Sequence, residues 1–303
     1  MALIRINAEG RNPVLHSTKT SLWPALRRAM PSTGPITIML HGYKFAPNDP
    51  DHCPHSHIFA AHDATCGKAI SWPRRLGFLD ASHNTGLGVA FGWNARGSLK
   101  QALRSALRAS HALAKLITEL RDIAPDRQIH LIGHSMGAYV ALSTLRRLQH
   151  GDVGRIVLLN GAVFRPCVAL ALRTPAGRSA ELFNVVSSEN AFYDILFERL
   201  LGRNPAHDRS IGRGFEARNA VTIRLGDAPS LESLAEMGHT IAPPKHWFCH
   251  WSPYLRPGAM AFYGTLLRHP QSLPLSLLKS QLSRHTLPMA GRTGPKPPPC
   301  GTA

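Results

Sequence analysis

The residues best suited to chemistry lie in Gly133-His134-Ser135-Met136-Gly137, a serine with a glycine two positions away on each side. The pentapeptide follows an apolar run holding Ile129, Leu131 and Ile132 and precedes the helix-forming Ala138-Tyr139-Val140-Ala141-Leu142. A serine on a sharp strand-to-helix turn projects its hydroxyl into open space, whereas side chains at the two glycine positions would strike neighbouring elements. The chemistry this suits is attack on a carbonyl carbon, with Ser135 as the nucleophile.

A hydroxyl is a weak nucleophile until a base takes its proton, and the base needs an acid to orient it. On a strand–turn–helix scaffold these partners follow the serine, acid first and histidine last. Of the histidines after Ser135, His250 in Cys249-His250-Trp251-Ser252-Pro253-Tyr254 has the required place, after the last strand and just before the last helix. His246 and His239 are poorer candidates. The acid belongs in the loop after the strand Leu182–Val186, where Glu189 and Asp194 are the carboxylates. Asp194 is preferred because aspartate is the commoner orienter, with Glu189 as the alternative. Two backbone N–H groups must meet the developing oxyanion. Met136, directly after the serine, supplies one. Tyr43, in His41-Gly42-Tyr43 after the apolar strand Ile36–Leu40, supplies the other.

The elements that must position these residues are legible as alternating patterns. Apolar or alternating runs predict strands at Leu3–Asn7 (an edge), Ile36–Leu40, Gly88–Gly92, Gln128–Ile132, Arg155–Leu159, Leu182–Val186 and Val221–Leu225. Helical spacing predicts helices over Ser21–Met30, Ser98–Arg121, Ala138–Leu148 and Arg256–Arg268. Strands and helices in this alternation form an α/β fold, a mostly parallel central sheet with helices on both faces. One domain is expected over residues 1–269, with a cap-like insert at about 44–87. The basic, proline-rich stretch 270–303 reads as a tail, disordered from about residue 285.

These pieces together resemble the α/β-hydrolase superfamily. More narrowly, HGYKF, AFGWNARGSL, GHSMG, VVSSEN and CHWSPY are similar to a bacterial group of uncharacterised serine hydrolases of esterase and lipase type. The resemblance spans about Ile36 to Leu267 and implies a Ser–His–acid triad with Ser135 and His250 at the motif positions. Where such relatives often carry aspartate, in a Ser-Ser-x-Asp arrangement, this chain has Asn190. The expected activity is hydrolysis of a carboxylic ester or thioester through an acyl-enzyme. Two alternatives stand beside it: acyl transfer on the same residues, and a non-catalytic basic scaffold binding nucleic acid or anionic membrane.

The chain has 303 residues, 44% of them apolar, enough for a full core. Lys and Arg total 35 against 18 Asp and Glu, a net charge of +17 that favours anionic surfaces. The arginines are spread along the chain without a dense block or aromatic-interleaved motif, so specific nucleic-acid binding is not expected. Cys53, Cys66, Cys167, Cys249 and Cys300 form no C-x-x-C pair and read as reduced thiols. The N-terminus lacks the pattern of a secretory signal, which makes the cytoplasm the expected location. Asp51, His52, Cys53, His55, His57, His62 and Asp63 are all metal-ligand types, but no recognised spacing is met, and neither metal nor cofactor is expected. Trp72, Phe78 and Trp93 read as packing residues.

Overall fold

The computed structural model describes residues 3–18, 20–30, 33–63, 70–79, 86–202, 204 and 207–284. In chain order its elements are β1 (Leu3–Glu9), β2 (Asn12–Leu15), α1 (Leu22–Ala29), β3 (Ile36–Leu40), α2 (Trp72–Arg75), β4 (Leu87–Gly92), α3 (Leu99–Ile123), β5 (Ile129–His134) and α4 (Met136–Thr144). There follow β6 (Arg155–Leu159), α5 (Arg165–Leu172), α6 (Pro175–Ser179), β7 (Glu181–Val186), α7 (Ala191–Leu201), β8 (Ala220–Arg224), α8 (Ala228–Glu236), α9 (Ser252–Leu255), α10 (Ala259–Arg268) and α11 (Leu275–Arg284).

The eight strands form one sheet in the order β2-β1-β4-β3-β5-β6-β7-β8. All neighbours are parallel except β1 and β2. This is the α/β-hydrolase fold that the alternation predicts. The edge position expected of β1 belongs instead to β2, a short hairpin partner whose Pro13 suits a strand with one unpaired side.

Side chains alternate across a strand, so each central strand feeds two cores. Ile36, Ile38 and Leu40 of β3 join a core under α1, α3, α4, α5 and α6, while Met39 faces the core under α2, α8, α10 and α11. Both faces are therefore covered, and all five residues of β3 are buried. The longest helix begins at Leu99 because Ser98 and Gln101 form a capping box: Ser98 Oγ accepts from Gln101 N at 3.3 Å, and Gln101 Oε1 accepts from Ser98 N at 2.7 Å.

Two boundaries differ from expectation. The last sheet-covering helix starts at Ala259, because Gly258 in a left-handed conformation (φ 86°) breaks it from α9. Beyond it, the stretch read as tail includes α11, whose Leu275, Leu278 and Leu282 are buried in the second core, so compact structure continues past residue 269. The disorder expected from about residue 285 lies outside the described residues. Among the described residues no helix is long and apolar enough to cross a membrane.

Candidate active site

Parallel strands bring the ends of β3, β5, β6 and β7 to one edge of the sheet, where ligands collect in such folds. Leu40 pairs with Gly133 and His134 with Leu159, so the loops after these strands meet around Ser135. Ser135 has φ 54° and ψ −120°, a conformation that L-residues rarely adopt and that persists only where neighbours over-determine it. They do so here. Ser135 N donates to Leu159 O at 3.0 Å, and Ser135 O accepts from Ala138 N at 3.0 Å and Ala162 N at 2.9 Å. The two flanking positions admit only glycine: a Cβ on Gly133 would lie 2.9 Å from Gly137 C, and one on Gly137 would lie 2.6 Å from Leu40 O.

The loop after β3 abuts this turn. A Cβ on Gly42 would lie 2.9 Å from Ser135 Cβ. The fully buried His41 ring stacks on Trp93 (5.3 Å between centroids, 6° between planes) and accepts from Trp93 N through Nε2 at 3.0 Å. Its Nδ1–H then donates to Gly42 O at 2.9 Å. Because the peptide unit is planar and trans, a Gly42 carbonyl turned to the His41 ring sends the Tyr43 N–H the opposite way. Met136 N–H belongs to the first turn of α4, where helical N–H groups have no partner within the helix.

His250 is held from both ends. Its carbonyl accepts from His134 Nε2 at 3.0 Å and from Asn160 Nδ2 at 3.1 Å. Its ring lies 4.6 Å from that of His134 and 4.9 Å from that of Tyr193. Burial, with neighbouring His134 adding a smaller effect, holds the His250 pKa well below 6.5. Burial likewise lowers His134 to about 4, leaving its ring neutral and fixed as an Nε2–H donor at ordinary pH.

The residue at His250 Nδ1 is Asn190, whose Oδ1 lies 2.6 Å away. Neither Asp194 nor Glu189 occupies that place. Asp194 stands behind Asn190: its Oδ2 accepts from Asn190 Nδ2 at 3.0 Å and its Oδ1 from Ser210 Oγ–H at 2.7 Å. Ser210 Oγ in turn accepts from Gly212 N at 3.1 Å. The carboxylate is so tightly enclosed that a Cβ on Gly212 would come within 2.2 Å of both its oxygens. Burial raises the Asp194 pKa, and hydrogen bonds from Ser210 and Asn190 work against that rise.

This chain of bonds has one consistent direction. A carboxylate only accepts, so the amide group of Asn190 must face Asp194 and its carbonyl must face His250. A carbonyl also only accepts, so His250 must carry its proton on Nδ1 and keep its lone pair on Nε2.

Glu189 is engaged elsewhere. Its Oε2 pairs with Arg256 Nη2 at 2.6 Å and its Oε1 accepts from His246 N at 3.1 Å, with side-chain exposures of 2% for Glu189 and 5% for Arg256. Its backbone carbonyl accepts from Cys249 N at 3.0 Å, so the pair clamps the loop that carries His250. Burial alone would raise the Glu189 pKa, but hydrogen bonds from Arg256, Ser252 and His246 bring it below the usual 4.5. Glu189→Gln would strand a buried guanidinium and is expected to destabilise the protein by about 3–5 kcal/mol. A carboxylate with a lowered folded pKa stabilises fully above its unfolded pKa and loses that contribution as pH falls through the folded one. The stability gap between wild type and variant in urea melts should therefore close below the ordinary glutamate range. A gap under 1 kcal/mol at neutral pH would contradict the clamp.

The potential metal ligands between Asp49 and Asp63 are dispersed into ordinary hydrogen bonds. His55 Nε2 meets Asn7 Oδ1 at 2.7 Å and stacks on His16, His57 Nδ1 donates to Cys53 O at 2.8 Å, and Asp63 pairs with Arg75 at 2.5 Å. Asp49, Asp51 and His52 alone among the described residues bring ligand atoms within 4.8 Å of one another. Phe59, Trp72 and Phe78 of the insert are fully buried in the second core. Trp72 meets Tyr254 at 5.2 Å and Tyr254 meets His134 at 5.1 Å, an aromatic path ending at the His250 loop.

A family model described as "Alpha/beta hydrolase of unknown function (DUF900)" matches residues 26–165, the stretch from α1 through β6 that includes the elbow. Among solved structures the chain is similar to TT1662 from Thermus thermophilus (15% identity, 64% of this chain and 80% of that one, TM-score 0.37). It is also similar to the catalytic core of acetyl xylan esterase from Trichoderma reesei (12%, 82% and 98%, 0.36) and to MenH from S. aureus (11%, 82% and 95%, 0.35). No curated protein matches the chain. The strand order and the elbow define the fold as that of the α/β hydrolases.

Proposed function

We propose that the protein is a serine hydrolase that cleaves a carboxylic ester or thioester through an acyl-enzyme on Ser135. The observation carrying this reading is the over-determined positive φ of Ser135, next in the chain to a His134 that is bonded to the carbonyl of His250, a histidine whose Nδ1 is itself hydrogen-bonded to an acceptor. Ser135 Oγ attacks the carbonyl carbon as its proton passes to His250 Nε2. The oxyanion is met by the N–H groups of Met136 and Tyr43. Collapse of the tetrahedral intermediate breaks the bond to the leaving group, which takes the proton back from His250. Water then attacks the acyl carbon as its proton passes to His250, the bond to Ser135 Oγ breaks and that oxygen takes the proton from His250, and the carboxylic acid departs. His250 must be neutral to accept the first proton, and its pKa is lowered by burial.

The acid limb of kcat/KM on a p-nitrophenyl ester is therefore expected below pH 6.5, the ordinary histidine value. Hydrolysis that survives His250→Ala unchanged, or an acid limb above that value, would count against the proposal.

A further inference from the structure

Helix α7 is turned inside out for a water-facing helix. Its only buried residue is Asp194, while Phe192 (53% exposed), Ile195 (43%), Leu196 (41%) and Leu200 (54%) face solvent. The loop before His250 adds Trp247 (91%) and Phe248 (67%), and the rings of Phe192 and Phe248 meet at 5.8 Å, joining helix and loop into one patch. Six of the eight large exposed apolar side chains among the described residues lie here, so the exposure is clustered, and clustering of this kind marks an interaction surface. The same helix presses Tyr193 against His250 and holds Asn190 through Asp194, so the patch is the outer face of the element that positions the candidate base.

The rim of the patch is basic. Arg199 and Lys245 are exposed beside it. Lys100 and Arg104 line an adjoining cavity of about 450 Å³, whose apolar wall includes Tyr139, Phe164, Phe197 and Leu200. The carboxylates of α7 do not offset this charge. Asp194 is buried, and Glu198 is paired with Arg213 at 2.6 Å and Arg209 at 3.5 Å. A second copy of the chain would bring +17 against +17, which opposes self-association through this face. Ile195, Leu196 and Leu200 make half of the patch aliphatic, whereas base stacking uses aromatic rings alone. Apolar side chains with an interfacial tryptophan, ringed by Lys and Arg, fit the headgroup–acyl boundary of an anionic bilayer.

We infer that α7 and the Trp247–Phe248 loop dock on an anionic phospholipid surface, and that the substrate is a lipid-borne acyl ester reaching the site from that surface. The substrate part rests on the hydrolase reading; the docking part does not.

The test is sedimentation of the full chain with vesicles of equimolar phosphatidylglycerol and phosphatidylcholine, against vesicles of phosphatidylcholine alone. Binding to the anionic vesicles is expected to be at least about tenfold tighter. Trp247→Gln with Leu196→Gln should weaken that binding by at least about tenfold while leaving a cooperative thermal melt. If the double variant does not fold, Trp247→Gln alone carries the comparison. Absence of binding to the anionic vesicles would overturn the proposal. So would equal binding of variant and wild type, which would mean adsorption by charge elsewhere, or a wild-type dimer that the variant dissociates. Turnover by the wild type, read as hydrolysis of either a soluble short-chain ester or the vesicle lipid, separates the two readings. Turnover without vesicle binding sinks the docking surface alone, and vesicle binding without turnover sinks the hydrolase reading alone.

Discussion

Ser135→Ala is expected to lower kcat on any accepted ester by about 10⁵- to 10⁶-fold, leaving only what oxyanion donors and substrate binding contribute without a nucleophile. The size follows from chemistry: no other group at the C-terminal edge of β5 stands in for the hydroxyl, and the two N–H donors have no tetrahedral oxyanion to hold unless one forms. Ser135 is 5% exposed and makes no side-chain cap to α4, so losing its hydroxyl removes no structural bond. Stability should change by less than about 1 kcal/mol. Urea melts together with steady-state kinetics check both halves, and a variant retaining a tenth of the activity would rule out Ser135 as the nucleophile.

The second large effect is expected at Asp194, although it does not touch His250. An asparagine beside a catalytic histidine has two faces. If its carbonyl accepts from Nδ1–H, the lone pair stays on Nε2, where the serine proton must go. If its amide donates to Nδ1, the proton moves to Nε2 and the base is disabled. Asp194 chooses between them, because a carboxylate can only accept and so turns the Nδ2 amide of Asn190 toward itself and the carbonyl toward His250. Asp194→Asn leaves both orientations open and is expected to lower kcat about 10²- to 10⁴-fold, the upper figure being the cost of the wrong tautomer in a triad. The double exchange Asn190→Asp with Asp194→Asn places a carboxylate against Nδ1 and an amide behind it. It should recover most of the activity and move the acid limb upward, since an adjacent carboxylate favours the imidazolium. A purely structural role for Asp194 predicts instead that the exchange is no better than the single variant. Kinetics across pH on the three proteins separate these outcomes.

The sheet was legible because each central strand is a short apolar run buried on both faces, and such runs leave little choice of element. β2 was not, since Asn12-Pro13-Val14-Leu15 after Gly10 reads as a turn and becomes a strand only through the partner that β1 offers. α11 was hidden by the prolines around it, and its leucines are buried only because β8 and α8 meet them. At the site, the elbow is a local motif and its geometry could be read from five residues. The partner of His250 is not local: it depends on Asn190, Asp194 and Ser210 converging from a strand end, a helix and a distant loop. In the sequence Asn190 shows only as a departure from a carboxylate. The readable signal was its spacing of four from Asp194, one helical turn, which puts the amide and the carboxylate on the same face. Glu189, one residue away, was drawn off by Arg256, a partner 67 positions along the chain that no spacing rule could have supplied.

Whether Ser135 is an activated nucleophile can be read directly by treating the folded protein with a fluorophosphonate and mapping the adduct by peptide mass spectrometry. A single phosphonyl adduct is expected on the peptide containing Ser135, absent from Ser135→Ala and formed more slowly by Asp194→Asn. A cooperatively folded wild-type protein that takes up no adduct, or one that Ser135→Ala takes up equally, would contradict the assignment of Ser135.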